Sequence, residues 1–391
     1  MSVRLNAVIV LVLGLWSPSL SVAKETKSLK DYVPQPGVFP PAGTGIQLSG
    51  DLVLSHPMNR RGGLREGDKE QRHYFAMLPY GVVRYHGAPA DVRDLPLGTH
   101  VHGRFLLPMK GEEETIPSLS KEQLKRTPTA KYNHAILLED SVSFYSRQGR
   151  TWKVIAIEQG TGPARLLKLS VEPVGPEIEG GINKPTRFNL DGATRIWKKR
   201  GLVGKDQIKA GQEIHVNLTW GPFRSLAMTD IWLDGESLAT CKEIQRQRHL
   251  KLMRSRFLPG WVDAVKNDDV GGGEVTLTFF GEMDASLYRD IRDMKGKRSA
   301  KICPAQTTLR IFNYHQEHAT PSDVLDWKVM KNPPFGSSGY QIRLRVRQML
   351  DGFRPGGIVR VRGPWTYVLL AHDEWLATAE SLERSKKMVL P

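Results

Sequence analysis

A short launch motif recurs along this chain, and it constrains the fold more than any other feature. An apolar residue, two residues, a glycine and two more residues precede an alternating apolar run at three places. They are Leu95-x-x-Gly98 before Val101, Ile208-x-x-Gly211 before Ile214 and Val216, and Phe353-x-x-Gly356 before Val359 and Val361. Glycine permits the positive φ of a tight turn that starts a strand, and the leading apolar residue plugs the core beneath it. With 37 glycines and 40% hydrophobic residues, bare spacing of this kind also arises by chance. Context adds weight, because two copies follow another strand pattern and a charged turn, "GVVRYHGAPADVRDLPLG" and "ATRIWKKRGLVGKDQIKAG".

Between these points the hydrophobic period is mostly two. "YGVVRYHG", "GTHVHGRFLL", "HAILLED", "SVSFYSRQGRTWKVIAIEQG" and "ARLLKLSVEP" are short, β-branched or aromatic, and bounded by Gly, Asp and Pro. That is strand chemistry with tight turns. Strands resume in "TRFNLDGATRIWKK", "EIHVNLTW" and "SLAMTDIWLDG", and again in "TTLRIFNY", "YQIRLRVRQML" and "GGIVRVRG". "WVDAVKND" and "EVTLTFFGEMD" read as a hairpin. A helix is expected over 236–257, with Asp234 or Thr240 as N-cap and Pro259-Gly260 as its stop. Shorter helices are expected at "DASLYRDIRDM" and in the C-terminal "LATAESLERSKK".

Residues 1–23 read as a signal peptide, with Arg4, an apolar run from Ala7 to Trp16, and small residues Ser21-Val22-Ala23 before the cut. The expectation is export, to the periplasm or beyond, with no transmembrane segment in the mature chain. A Pro-rich leader follows at 24–45. The reading then divides the chain into a first β-barrel-like domain at 46–175, a second β domain at 186–292 carrying the helix, and a third at 300–391. "VGPEIEGGINKP" (174–185) serves as the linker between the first two. The "NRRGGLREGDKEQR" stretch (59–72) and most of 110–131 are expected to be solvated loops.

The fold class is therefore mainly β, with two or three small barrels and one prominent central helix. "GAPADVRDLPLGTHVHGRF", "LPGWVDAVKNDDVGGGEVTLTFFG" and "LDGFRPGGIVRVRG" resemble the small OB-like or SH3-like barrels of exported bacterial proteins. More narrowly, they resemble exported proteins of planctomycete-type bacteria. The resemblance implies small-barrel repeats and an envelope location; it implies no activity and no catalytic residue.

Charge narrows the function. Lys and Arg number 56 against 41 Asp and Glu, a net charge of +15, or +14 once Arg4 is removed. An exported chain so basic favours anionic surroundings, and acidic polysaccharide or another anionic envelope polymer is the expected partner, ahead of nucleic acid. Candidate contacts are Arg104, Lys242, Arg246, Lys251, Arg254, Arg360 and Arg362. The basic residues of the central helix do not form one stripe at 100° per residue, which argues against a one-sided nucleic-acid helix.

His100 and His102 flank Val101 in a strand whose Val101 and Phe105 want the core, so the histidines face outward. A solvated polar face is the expected reading. The alternative is a periplasmic Zn²⁺ or Cu²⁺ site built on His100 and His102, with His86, or else His73 or His134 of the same domain, as a further ligand. His315 and His318 lack the H-E-x-x-H order of a metalloprotease. Cys241 and Cys303 are the only cysteines, and in an oxidising compartment a disulfide between them is possible. No nucleophile elbow, P-loop or dinucleotide fingerprint is present, so a non-catalytic role is expected over a polysaccharide-acting enzyme.

Overall fold

The computed structural model describes residues 29–365, apart from 58–59, 68–71, 111–120, 160–166, 222–224, 297–299 and 306–318. The signal-peptide reading, the C-terminal helix, "TTLRIFNY" and the His315/His318 pair lie outside the described residues.

Three closed barrels follow one another along the chain. The first holds β1 (Ile46–His56), β2 (Arg61–Arg65), β3 (Arg72–Tyr85), a short β4 (Ala88–Ala90), β5 (His100–Leu106) and β6 (His134–Asp140). β1 pairs with β2 and β5, β2 with β3, and β3 runs parallel to β6. That is OB-like connectivity, and it closes the sheet without a free edge. β4 is an addition to it, and α1 (Lys121–Arg126) lies in the β5–β6 connection.

After α2 (Ser141–Arg147), the second barrel repeats the same wiring. Its strands are β7 (Thr151–Gln159), β8 (Leu167–Val174) and β9 (Thr186–Leu190), then an appended β10 (Arg195–Lys198) and β11 (Gly201–Leu202), then β12 (Glu213–Trp220) and β13 (Leu226–Trp232). β9 and β13 make the parallel closure. α3 (Gly235–Arg256) then leads to the third barrel. This one is antiparallel throughout, in the order β14 (Leu258–Asn267), β15 (Gly273–Phe280), β18 (Ser337–Val346), β17 (Thr320–Val329), β16 (Ala300–Pro304), β19 (Ile358–Arg362). α4 (Ala285–Arg292) fills the β15–β16 connection.

The launch motif is the common joint of all three. Gly98, Gly211 and Gly356 have φ of 87°, 82° and 77°. Their N–H groups donate to the carbonyls of Leu52, Val154 and Val262, each at 2.8 Å. Those residues return the bond, their own N–H donating to Thr99, Gln212 and Gly357 at 2.9 Å. In each barrel the clamped residue stands at a bulge of the first strand, between Leu52/Leu54, Val154/Ala156 and Val262/Ala264. Leu95, Ile208 and Phe353 are buried plugs beneath the turn. The sequence repeat is a structural repeat, built from one glycine turn and one strand bulge.

Two sequence expectations change. "SVSFYSR" alternates like a strand but forms α2, because Asp140 caps it through Oδ1, which accepts the Ser143 N–H at 3.0 Å. The domain divisions move with it. β7 and β8 hydrogen-bond into the second barrel and β14 and β15 into the third, so the barrels span 46–140, 151–232 and 258–362. "VGPEIEGGINKP" is an internal loop of the second barrel. Ile178 is buried in that barrel's core, and Arg150 donates to the Ile182 carbonyl at 2.9 Å and to Asn183 Oδ1 at 3.1 Å. Smaller differences follow the same logic. Arg61–Arg65 is a strand within the stretch read as a loop, and α3 stops at Phe257 (φ 64°), with Pro259 and Gly260 already in β14.

The described part of the leader is a strap rather than a free extension. Phe39 packs edge-on against Tyr80 of the first barrel at 5.5 Å and Phe280 of the third at 6.1 Å, and Trp261 completes the cluster. A Cβ on Gly37 would stand 2.7 Å from Gly356 Cα, so the strap lies directly on the third launch turn.

The clamp predicts a local cost. Gly211 has open space around an added Cβ but a positive φ, so Gly211→Ala should destabilise by about 1–2 kcal/mol through backbone strain alone. Gly192→Ala, in equally open space without that φ, should stay within about 0.5 kcal/mol. Urea midpoints of the two variants check this.

Candidate functional site

The β5 histidines do point away from the barrel core, yet they are not solvated. His100 is 8% exposed and His102 5%. The outer face of β5 is the contact with α2 and the second barrel, and the expected polar surface is thereby corrected. His102 stacks flat on Phe144 of α2, with centroids 3.9 Å apart and planes 6° apart, and meets Tyr145 at 5.6 Å. His100 Nδ1 lies 2.8 Å from Asp51 Oδ1. The other Asp51 oxygen accepts the Trp220 N–H at 2.7 Å and the Thr219 hydroxyl at 3.1 Å, both from β12.

A second buried carboxylate joins the same two barrels. Asp140 Oδ2 accepts from Asn217 Nδ2 at 2.8 Å and from the His86 N–H at 3.0 Å, while Asn217 Oδ1 accepts the Val142 N–H at 2.9 Å. His86 and Gly87, at φ 53° and 76°, form the two-residue turn between β3 and β4. The His86 ring stacks on Tyr85 at 3.7 Å and meets Trp232 edge-on at 5.0 Å. Burial pulls the His86 and His102 imidazoles below the ordinary histidine range, and for His102 the neighbouring His100 adds to the shift. Among the described residues no group of three or more His, Cys, Asp or Glu side chains is placed to hold a metal ion. The residues of the Zn²⁺/Cu²⁺ alternative are packing and hydrogen-bonding elements of this interface.

Cys241 and Cys303 are free and buried, not bridged. Cys241 packs with Val142, Trp232 and Leu238 beneath α3, whereas Cys303 lies in the third barrel on β16, its Sγ 3.8 Å from the Arg360 carbonyl. Burial pushes the Cys303 thiol up to about 12. The two cysteines belong to different packing units, which sequence spacing could not reveal.

The candidate cations divide sharply. Arg104 donates to the Gly43 carbonyl at 3.1 Å and anchors the strap. Arg246 pairs with Asp284 and with Glu243, the latter at 3.1 Å. Arg254 pairs with Asp290 at 3.9 Å. Arg360 donates to the Arg256 and Phe257 carbonyls at 3.2 and 3.4 Å, and burial lowers its guanidinium to about 10. Arg362 donates to the Trp365 carbonyl at 3.0 Å and lies over the Phe257 ring. These five serve the fold. Lys242 and Lys251 remain exposed on α3.

A basic ridge emerges elsewhere, on residues the sequence reading did not select. β10 and β11 form a hairpin on the second barrel with Lys198, Lys199 and Arg200 at its exposed end and Lys205 and Lys209 behind them. Lys199 makes one loose ion pair, 3.9 Å from Glu236, with both groups over two-thirds exposed. The hairpin rests on the start of α3, where the Lys199 N–H donates to Ser237 Oγ at 2.7 Å. At 3.6 residues per turn, Ile244, Arg248 and Lys251 continue along the Ser237 side of that helix. Trp197 of β10 packs against the cluster of Val142 and Trp232 with Leu238 and Cys241 of α3, which sets β10 beside this helix. The signal was present in "RIWKKRGLVGK", but nothing in sequence says that these cations find no internal acid. A cavity of about 50 Å³ in the first barrel, lined by Leu48, Ser49, His73 and Thr129 among others, is far below the size of a sugar-binding cleft.

Two outcomes follow. An unfolded histidine gains a proton below about pH 6.5, but the folded His102 resists it. Stability should therefore be complete above about pH 6.5 and fall as pH drops toward the lower folded value, by up to about 1.4 kcal/mol per pH unit from this histidine. His102→Phe, which keeps the ring stack, should flatten the acid slope of the urea midpoint. Thiol titration should find both cysteines unreactive in the folded chain and both reactive after denaturation.

No protein-family model, curated protein or solved structure matches this chain.

Proposed function

We propose that this chain is an exported, non-catalytic envelope protein that binds acidic polymer through lysines and arginines its own fold leaves free. The observation that carries this reading is the division of cations. Arginines on β5, β19 and the inner sides of α3 are spent on backbone carbonyls and carboxylates. Lys198, Arg200, Lys205 and Lys209 at the β10–β11 hairpin, with Arg248 and Lys251 on the adjoining flank of α3, are not, whereas Lys242 is exposed on the opposite flank of that helix. A concentration of unpaired positive charge on one side of a compact protein raises the local concentration of polyanions.

Two further points favour polysaccharide over nucleic acid. Bases are held on exposed aromatic faces, and among the described residues the exposed large hydrophobic side chains are all aliphatic. The OB-like outer face of β7, β8 and β9 is also neutralised across strands, by Lys153–Glu172 at 3.4 Å and Arg187–Glu158 at 3.5 Å. Export rests on the N-terminal apolar run and its Ser21-Val22-Ala23 end, and the resemblance to exported planctomycete-type proteins belongs to the same proposal. No helix among the described residues is long and apolar enough to cross a membrane.

The test is retention of residues 24–391 on a sulfated-polysaccharide column across a salt gradient, beside a neutral polymer. Retention should fall steeply with salt, and replacing Lys198, Arg200 and Lys205 together by Ala should reduce the log–log salt slope by about 2–3. Arg104→Ala should leave the slope unchanged. Flow-through at low salt overturns the reading.

A further inference from the structure

We infer that the end of the β10–β11 hairpin is a seat for an anionic lipid surface, with Leu202 entering the headgroup layer beside the Lys199-Arg200 turn. The inference shares with the proposed function only the charge of the ridge. What it adds comes from the apolar residues within that charge.

Leu202 is 60% exposed at the hairpin's end, and Trp197 opposite it on β10 is only partly exposed. Ile244, 42% exposed, stands among Arg248 and Lys251 on the adjoining flank of α3. Leu202 thus follows the Lys198-Lys199-Arg200 turn, and Ile244 shares its helix flank with Arg248 one turn on and Lys251 two turns on. Carbohydrate polyanions offer a charged partner but no apolar phase, so they leave both side chains in water. The interface of a bilayer with anionic headgroups offers both, and basic residues flanking exposed aliphatics are the pattern that uses both.

Geometry agrees. The hairpin is an addition to a barrel that closes without it, so its far end is free of the core. Lys199 holds φ of 56°, a conformation that favours glycine, and the two-residue turn it makes with Arg200 leaves both cations exposed. The hairpin is fixed along its length: on β10 the Trp197 Nε1 donates to Asp230 at 2.8 Å, and at the turn the Lys199 N–H donates to Ser237 Oγ of α3 at 2.7 Å. The hairpin presents its end without needing to reorganise.

The experiment is co-sedimentation of residues 24–391, which lack the apolar N-terminal run, with two kinds of vesicle. One is phosphatidylcholine alone and the other is phosphatidylcholine mixed with phosphatidylglycerol. The chain should sediment with the mixed vesicles and not with the neutral ones. Leu202→Ser should lower partition on the order of tenfold while leaving sulfated-polysaccharide elution and the urea midpoint unchanged. Lys198→Ala with Arg200→Ala should weaken both vesicle binding and column retention. Sedimentation of Leu202→Ser equal to the parent overturns the inference. So does retention on the polymer without any vesicle binding, and that result leaves the proposed function standing. Failure on both supports removes both.

Discussion

A carboxylate taken out of water must be met by donors on every side, and Asp51 meets that demand with groups from two barrels. It is 1% exposed, held by His100 from its own sheet and by Thr219 and Trp220 from the next. Removing one partner would leave a buried charge uncompensated, so the donors fix the relative placement of the barrels more strictly than apolar contact alone. Asp140 repeats the device with Asn217 and the His86 turn. The outward-facing histidines of β5 are consequently interior to the molecule.

The other joint is built on aromatic rings, with the Arg84–Glu282 ion pair also linking the same two barrels. Tyr80, Trp261, Phe280 and the strap's Phe39 form one aromatic cluster between the first and third barrels. Ring edges meet ring faces there, an arrangement worth more than area burial alone. The contrast has a consequence for pH. The first interface contains His86 and His102, which burial holds below the ordinary histidine range, and it weakens when they are forced to protonate, whereas the rings of the aromatic cluster include no histidine.

The proposed surface is what remains when these internal demands are met. Arginine's planar fork suits carbonyl and carboxylate partners, and the fold uses it for Arg60, Arg104, Arg147, Arg150 and Arg360. Lysines are strongly hydrated point charges, and they dominate the hairpin. Net charge alone therefore overstates what is available to a partner, because much of the arginine is already engaged.

The sequence by itself determined the strand-rich class, the three launch turns and the inward–outward alternation of β5, because each is local: glycine conformation, capping chemistry and a period of two. Asp234 caps α3, donating partners and all, as its position before the helix implied. Only the tertiary structure decided what covers each face. His100 and His102 face outward in both accounts, but α2 lies over them, and α2 itself was misread because alternation in "SVSFYSR" outweighs a single Asp cap in a local reading. The same holds for the cations. Whether Arg246 or Lys198 is engaged depends on carboxylates distant in sequence: Asp284 pairs directly with the first, whereas Asp234 acts on the second only through space. Local periodicity encodes orientation relative to a strand or helix axis; burial and ion pairing are properties of the assembled surfaces, and these three barrels set them only when they meet.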